Sequence, residues 1–288
     1  MSTSVRSMPD HKRRVHIYDD VTEAVHAAAQ CWVKLAAQAI AARGGFHVAL
    51  SGGATPRALY EYLASADVAA QVAWQHVHIW FGDERTVPPQ HPDSNYRMAY
   101  DALLRHVPVL SAHVHRMQGE QENAHDAARA YQAQLMAHLP LSGAPGPDGV
   151  PQFDLMLLGL GPDGHVASLF PGTPILAERV RWVAAVFVEK LNTWRISLTL
   201  PVIDNARHIM VLVAGACKAD IVREVWQTQP EAGGRLRHPA SRDTCRTLRL
   251  RSSLCSARYP VEMIHPAAVM DWYLDAAAAQ HITGEDKP

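Results

Sequence analysis

Residues 159–165 read G-L-G-P-D-G-H and follow four apolar residues, Leu155, Met156, Leu157 and Leu158. Asp163 and His165 stand at the tip of that turn. They are a titratable pair, and a histidine changes charge close to neutral pH. The apolar run suits a strand buried on both faces. Gly159, Gly161 and Gly164, with Pro162 among them, stop the strand and turn the chain sharply. Open α/β sheets place ligands just past the carboxyl ends of their strands, where this pair lies. A strand-to-helix turn with Asp163 as a helix cap and His165 on the surface accounts for the same residues.

Two further stretches have the same form. The apolar segment 46–50 runs into Ser51-Gly52-Gly53-Ala54-Thr55-Pro56 and then a helix start. Thr55 fits the N-cap and Pro56 the first helical position. Backbone N–H groups at such a start suit a phosphate, although a tight turn explains the residues equally and the P-loop spacing is absent. Segment 77–81, V-H-I-W-F, reads as a second buried strand and ends in Gly82-Asp83-Glu84-Arg85, either a solvated turn or a site. Asp93 or Ser94 then caps a helix through Asn95 to about residue 104.

These stretches need elements to hold them. Residues 20–43 have helical spacing of Val21, Val25, Ala28, Trp32, Leu35, Ala36 and Ile40, with Asp20 and Glu23 as a capping box and Gly44-Gly45 as the stop. A helix is expected over 122–138, its apolar positions mostly alanine, which places it at the surface. Strands are expected at 182–188, 195–200 and 208–214, a short helix or turn at 201–206, and a helix from Lys218 to 227. Residues 259–264 read as a short strand and 267–280 as a closing amphipathic helix with Trp272 and Leu274 inward. Residues 1–17 read as a disordered lead-in without the apolar core of a signal peptide. Residues 229–256 hold six arginines and two prolines with no steady period, and read as an irregular insertion. Strands alternating with helices imply one α/β domain over 18–283: an open, mostly parallel twisted sheet with helices on both faces. Its three candidate loops then share one rim.

The totals bound the function. A chain of 288 residues with formal net charge −1 has no bias toward nucleic acid or a membrane surface. Its 17 histidines are scattered, with no H-E-x-x-H pair, so no metal site is read. The four cysteines form no C-x-x-C pair, which fits free thiols in a reducing, cytoplasmic compartment. No apolar run reaches the length of a membrane span.

Taken in order, the motifs resemble the 6-phosphogluconolactonase family, within the glucosamine/galactosamine-6-phosphate isomerase superfamily. They are S-G-G-A-T-P at 51–56, G-D-E-R at 82–85, D-S-N-Y-R at 93–97, G-L-G-P-D-G-H-V-A-S-L-F-P at 159–171, R-I-S-L-T-L at 195–200 and G-A-C-K at 215–218. The match covers 18–226 and 259–280, and departs from the family at the long segment before Tyr259. The resemblance implies a Rossmann-like sheet of the sugar-phosphate isomerase type. It also implies hydrolysis of 6-phospho-D-glucono-1,5-lactone to 6-phospho-D-gluconate, a step of the oxidative pentose phosphate pathway, by a monomer or weak homodimer. His165 is then the base that activates water, and Asp163 orients it or shapes the loop. Backbone N–H groups of residues 161–165 are candidates for the oxyanion. Arg85 and Arg195 are the phosphate ligands, helped by Ser51, Gly52, Gly53 and Thr55, with Lys218 a further candidate. Asp83 binds sugar hydroxyls or buttresses Arg85, and Asn95 supports the Asp83 loop. A lactone is already an activated ester, so no metal or other cofactor is expected. Two rival readings are an amino-sugar-6-phosphate isomerase/deaminase, whose F-N-E after the histidine is missing here, and a non-catalytic sugar-phosphate-binding module.

Overall fold

The computed structural model describes residues 4–7, 12–142, 149–227 and 259–282. In chain order these form an antiparallel pair, β1 (Ser4–Ser7) and β2 (Arg13–Tyr18), then α1 (Val21–Arg43), β3 (Phe46–Leu50), α2 (Ala54–Leu63), the one-turn α3 (Ala66–Ala69), β4 (Val77–Phe81) and β5 (Asp83–Arg85). Next come α4 (Asn95–Ala99), extended by a π-helical turn over Tyr100–Leu104, α5 (Ala124–His138), and a small antiparallel pair, β6 (Leu141–Ser142) and β7 (Val150–Pro151). β8 (Leu155–Gly159), β9 (Val183–Val188), β10 (Thr193–Leu198), α6 (Leu200–Asp204), β11 (His208–Val213) and α7 (Ala219–Gln227) follow, with β12 (Val269–Asp275) and α8 (Ala276–Ala279) last.

The main sheet has seven strands in the order β1-β2-β12-β11-β8-β3-β4, all parallel except the β1–β2 pair. Its side chains alternate between two cores, as a sheet covered on both faces requires. Ala49, Trp80, Met156, Leu158, Val211 and Trp272 face one, together with α5 and the strands of the second sheet. Val48, Leu50, Ile79, Leu155, Leu157 and Met210 face the other, under α1 and α2. The second sheet is antiparallel, β5-β10-β9. It hangs from the carboxyl end of β4 through the single linking residue Gly82.

Local chemistry explains the well-read elements. Asp20 caps α1 by accepting from the Glu23 N–H at 2.9 Å, and Gly44 ends it at φ 80°, where a side chain would be strained. Ser94 caps α4 through the Arg97 N–H.

Several expectations are corrected. Arg13–Tyr18, all but Tyr18 placed in a lead-in, is β2, paired in register with β12. Residues 267–280 do not form a closing helix: β12 lies between β2 and β11, and only the alanines of α8 are helical, capped by Asp275. The alanine run gives the whole segment a helical look, while burial of Met270, Trp272 and Leu274 on one face and Tyr273 on the other makes it a strand. Residues 259–264 form a single 3₁₀ turn, Pro260–Met263, not a strand. Residues 82–85 are neither a solvated turn nor a loop, because Asp83–Arg85 pairs with β10. Gly53, not Thr55, is the N-cap of α2. Helix α5 is not a surface element: Tyr131 and Leu135 are buried, and the Phe81 N–H donates to the Tyr131 hydroxyl at 2.8 Å. The insertion read at 229–256 lies outside the described residues.

Candidate active site

Loops from the carboxyl ends of four adjacent strands, β11, β8, β3 and β4, meet the second sheet around one cleft of about 610 Å³. This is the ligand edge of an open α/β sheet. Among the described residues four cations line it, Arg85, Lys190, Arg195 and Lys218, against a single carboxylate, Asp83.

His165 projects from the turn after β8. Its Nδ1 lies 2.5 Å from Asp163 Oδ1, and its ring stacks on Phe170 with centroids 4.1 Å apart. The fit depends on Gly161: a Cβ there would stand 1.9 Å from His165 Nδ1. Burial would raise the Asp163 carboxyl, but hydrogen bonds from Lys190 and His165 outweigh it and hold the group at about 2. An ionised Asp163 accepts, so the proton of the neutral ring sits on Nδ1 and the lone pair is on Nε2. That Nε2 has no hydrogen bond among the described residues. Burial also lowers the pKa of His165 below its ordinary value, against the pull of Asp163. Asp163 itself does not line the cleft. It stands behind the imidazole, in the wall of an adjoining groove of about 480 Å³.

The turn keeps its shape with its own N–H groups. Gly161 N–H donates to His165 O at 2.8 Å and Gly164 N–H to Gly161 O at 3.0 Å. Both are therefore committed within the turn, which removes them as the oxyanion donors expected from the sequence. Gly164 adopts φ 72° and packs against Tyr259, leaving no room for a Cβ.

Arg85 and Arg195 sit directly opposite one another on β5 and β10. Like charges in that position repel and destabilise a sheet. Burial, then the charge of Arg85, lowers the pKa of Arg195. The Arg195 guanidinium makes no hydrogen bond or ion pair among the described residues. Among the described residues the Arg85 guanidinium donates one hydrogen bond, to the Asp93 carbonyl. Two guanidinium groups side by side, one with a single hydrogen bond and one with none among the described residues, suit a phosphate, whose oxygens match their forks.

The remaining residues brace this wall. Asn95 Nδ2 donates to Asp83 O at 2.9 Å and Oδ1 at 3.1 Å, and Ser168 Oγ donates to Asp83 Oδ2 at 2.6 Å. Gly52 makes room for that Asn95 side chain: a Cβ would fall 2.0 Å from its Oδ1. Glu84 is buried and accepts from the N–H groups of Asn95 (2.7 Å) and Tyr96 (2.8 Å), which ties α4 to β5. Burial raises the pKa of Glu84 in spite of those bonds. Lys218 Nζ donates to Leu160 O at 2.8 Å from the turn after β11.

All of Ser51, Gly52, Gly53, Thr55, Asp83, Arg85, His165, Arg195 and Lys218 thus line one cleft, with Asp163 behind it. Lys190, Ser168 and Phe170 also line it and were not singled out from the sequence. Ser168 and Phe170 lie inside the 159–171 motif, so the motif itself was their signal. Lys190 lies in the 3₁₀ tip between β9 and β10, and nothing in its spacing points to a site.

Fold and cleft together define an open α/β protein with a cation-lined cleft beside a carboxylate-held imidazole. The chain belongs to the family described as glucosamine-6-phosphate isomerases/6-phosphogluconolactonase, whose model matches residues 19–247. It is 34% identical over 258 residues to a 6-phosphogluconolactonase of Synechocystis sp., covering 90% of this chain and 93% of that one. It is 41% identical over 212 residues to the 6-phosphogluconolactonase of Mycobacterium tuberculosis, covering 72% and 83%. The solved 6-phosphogluconolactonase of Trypanosoma brucei superposes with a TM-score of 0.75 at 26% identity, over 97% of this chain and all of that one.

Proposed function

We propose that the chain hydrolyses 6-phospho-D-glucono-1,5-lactone to 6-phospho-D-gluconate, with His165 as the general base. The observation that carries this reading is His165, held by Asp163 behind it, in one cleft with two guanidinium groups that have no carboxylate ion-pair partner among the described residues. Arg85 and Arg195 hold the phosphate, with Lys218 and the Gly52–Thr55 turn as further contacts. Asp83, kept in place by Asn95 and Ser168, accepts from sugar hydroxyls. His165 Nε2 takes a proton from water as its oxygen adds to the lactone carbonyl carbon. When the bond from that carbon to the ring oxygen breaks, the imidazolium returns the proton to the departing oxygen. A base so placed contributes roughly 10²–10⁴ in rate. The reading is of a cytoplasmic enzyme, monomeric or weakly dimeric, without a nucleic-acid or membrane partner.

The test is a pH-stat assay on freshly generated lactone, with spontaneous hydrolysis subtracted. Wild type turns over, and His165→Ala keeps its circular dichroism but loses roughly 10²–10⁴ in kcat. An unchanged rate in the variant removes His165 as the base. Ammonia release from an amino-sugar 6-phosphate, with no lactone turnover, would overturn the function itself.

A further inference from the structure

We propose that Lys190 is a positioning residue: its ammonium balances the charge of Asp163, so that this carboxylate orients the His165 imidazole without holding a proton on it. The inference rests on the lactonase reading for its kinetic part only.

A carboxylate beside a catalytic histidine has two effects that conflict. It fixes the tautomer and the ring, which helps a base. It also favours the imidazolium, which disables one. Here the two oxygens of Asp163 are divided. Oδ1 meets His165 Nδ1 at 2.5 Å, and Oδ2 accepts from Lys190 Nζ. The ammonium therefore lies across the carboxylate from the imidazole. Phe170 packs against both the imidazole and the ammonium, with its ring centroid 4.1 Å from the imidazole and 4.6 Å from Lys190 Nζ. Carboxylate, ammonium, aromatic ring and imidazole form a closed circuit of contacts.

The charges facing His165 are Asp163 on its own loop, Asp83 on β5 and Lys190 on the β9–β10 tip. The first two favour the imidazolium and Lys190 opposes it. Arg85, Arg195 and Lys218 line the same cleft. Without Lys190 the charge of Asp163 is uncancelled at the closest position, while the hydrogen bond to Nδ1 survives because both residues belong to one short turn. Lys190 is half-exposed, so it is suited to tuning charge more than to holding the fold. The hairpin that carries it also carries Arg195 on β10, so one element delivers a phosphate ligand and the counter-ion of the base.

The experiment compares full-length wild type, Lys190→Met and Lys190→Arg. In Lys190→Met the acid limb of kcat/KM moves to higher pH by roughly 0.5–1. The alkaline plateau stays within about threefold and KM for the phosphorylated lactone changes little. Lys190→Arg restores the limb. NMR titration of the His165 ring shows the same upward movement without any substrate. A rise in KM confined to phosphorylated lactone, with the limb unmoved, would make Lys190 a phosphate ligand and overturn the proposal. A uniform fall in kcat with the limb and the NMR titration unmoved overturns it too. If wild type has no lactone turnover, the function fails but the NMR comparison still decides the role of Lys190; Lys190→Gln serves if the Met variant does not fold.

Discussion

The main sheet has histidines at both ends of its strands, and the two ends behave differently. At the amino ends His47 and His78 are in register and stack at 4.4 Å. His113 stacks on His78 at 3.8 Å, His115 on Trp80 at 3.8 Å, and His138 of α5 lies 5.0 Å from His115. Burial first, then the neighbouring imidazoles, pushes His47, His78 and His115 down to about 4. His47, His78 and His115 are therefore neutral at pH 7, and all five rings pack on one another or on Trp80. Among the described residues no three His, Cys, Asp or Glu side chains are arranged to hold a metal ion. At the carboxyl ends, among the described residues, the cleft has one imidazole, that of His165, with a carboxylate that sets its tautomer, an Nε2 without a hydrogen bond, and cations across the cleft. Burying histidines is thus not what makes a site. One fixed ring facing charges that the fold leaves uncompensated is.

The largest effect tests whether the fixed ring matters. Gly161→Ala places a methyl group on the imidazole and should cost turnover on the scale of removing the base, roughly 10²–10⁴ in kcat, with the melting temperature near wild type. Wild-type kcat in this variant would break the contrast between the two ends. Next, Arg195→Ala should raise KM about 10–100-fold for phosphorylated lactone and less than about threefold for an unphosphorylated one. Because it relieves the repulsion with Arg85, its melting temperature should hold or rise. Equal KM effects on both substrates, read from initial rates, would remove the phosphate role. The smallest effect belongs to the amino end. A histidine held near 4 in the folded state titrates near 6.5 when unfolded, so the unfolded chain binds more protons between those values. Stability is full above about pH 6.5 and is lost as pH falls toward 4. His115→Phe keeps the stack on Trp80 and deletes one such group, so its melting temperature at pH 5 should fall a few degrees less from its pH 7 value than that of wild type. Activity at pH 7 should be unchanged. Identical pH slopes in calorimetry would show that these rings carry no acid lability.

Much of this was legible before any fold. Segments 46–50 and 77–81 are short apolar runs closed by glycine, and they are β3 and β4 with the same bounds. The cap at Asp20 and the stop at Gly44 are local chemistry, and both hold. β2 was missed although Arg13, Val15 and Ile17 alternate inward, because its arginines hide the period. β12 was missed because Trp272 and Leu274 fit a helical face as well as one side of a strand, and only pairing with β2 and β11 decides. The histidines looked scattered because their contacts join β3, β4, the segment after residue 110 and α5.

The sequence by itself determined the strand-ending glycine turns, the Asp163–His165 spacing and the motifs that assign the family, since each depends on neighbours along the chain. Tertiary structure alone decided that Arg85 opposes Arg195, that Lys190 reaches Asp163, and that five imidazoles gather around Trp80. Those contacts span tens of residues, and a charge or ring has no preferred distant partner until strand register and hairpin closure set the distance between them.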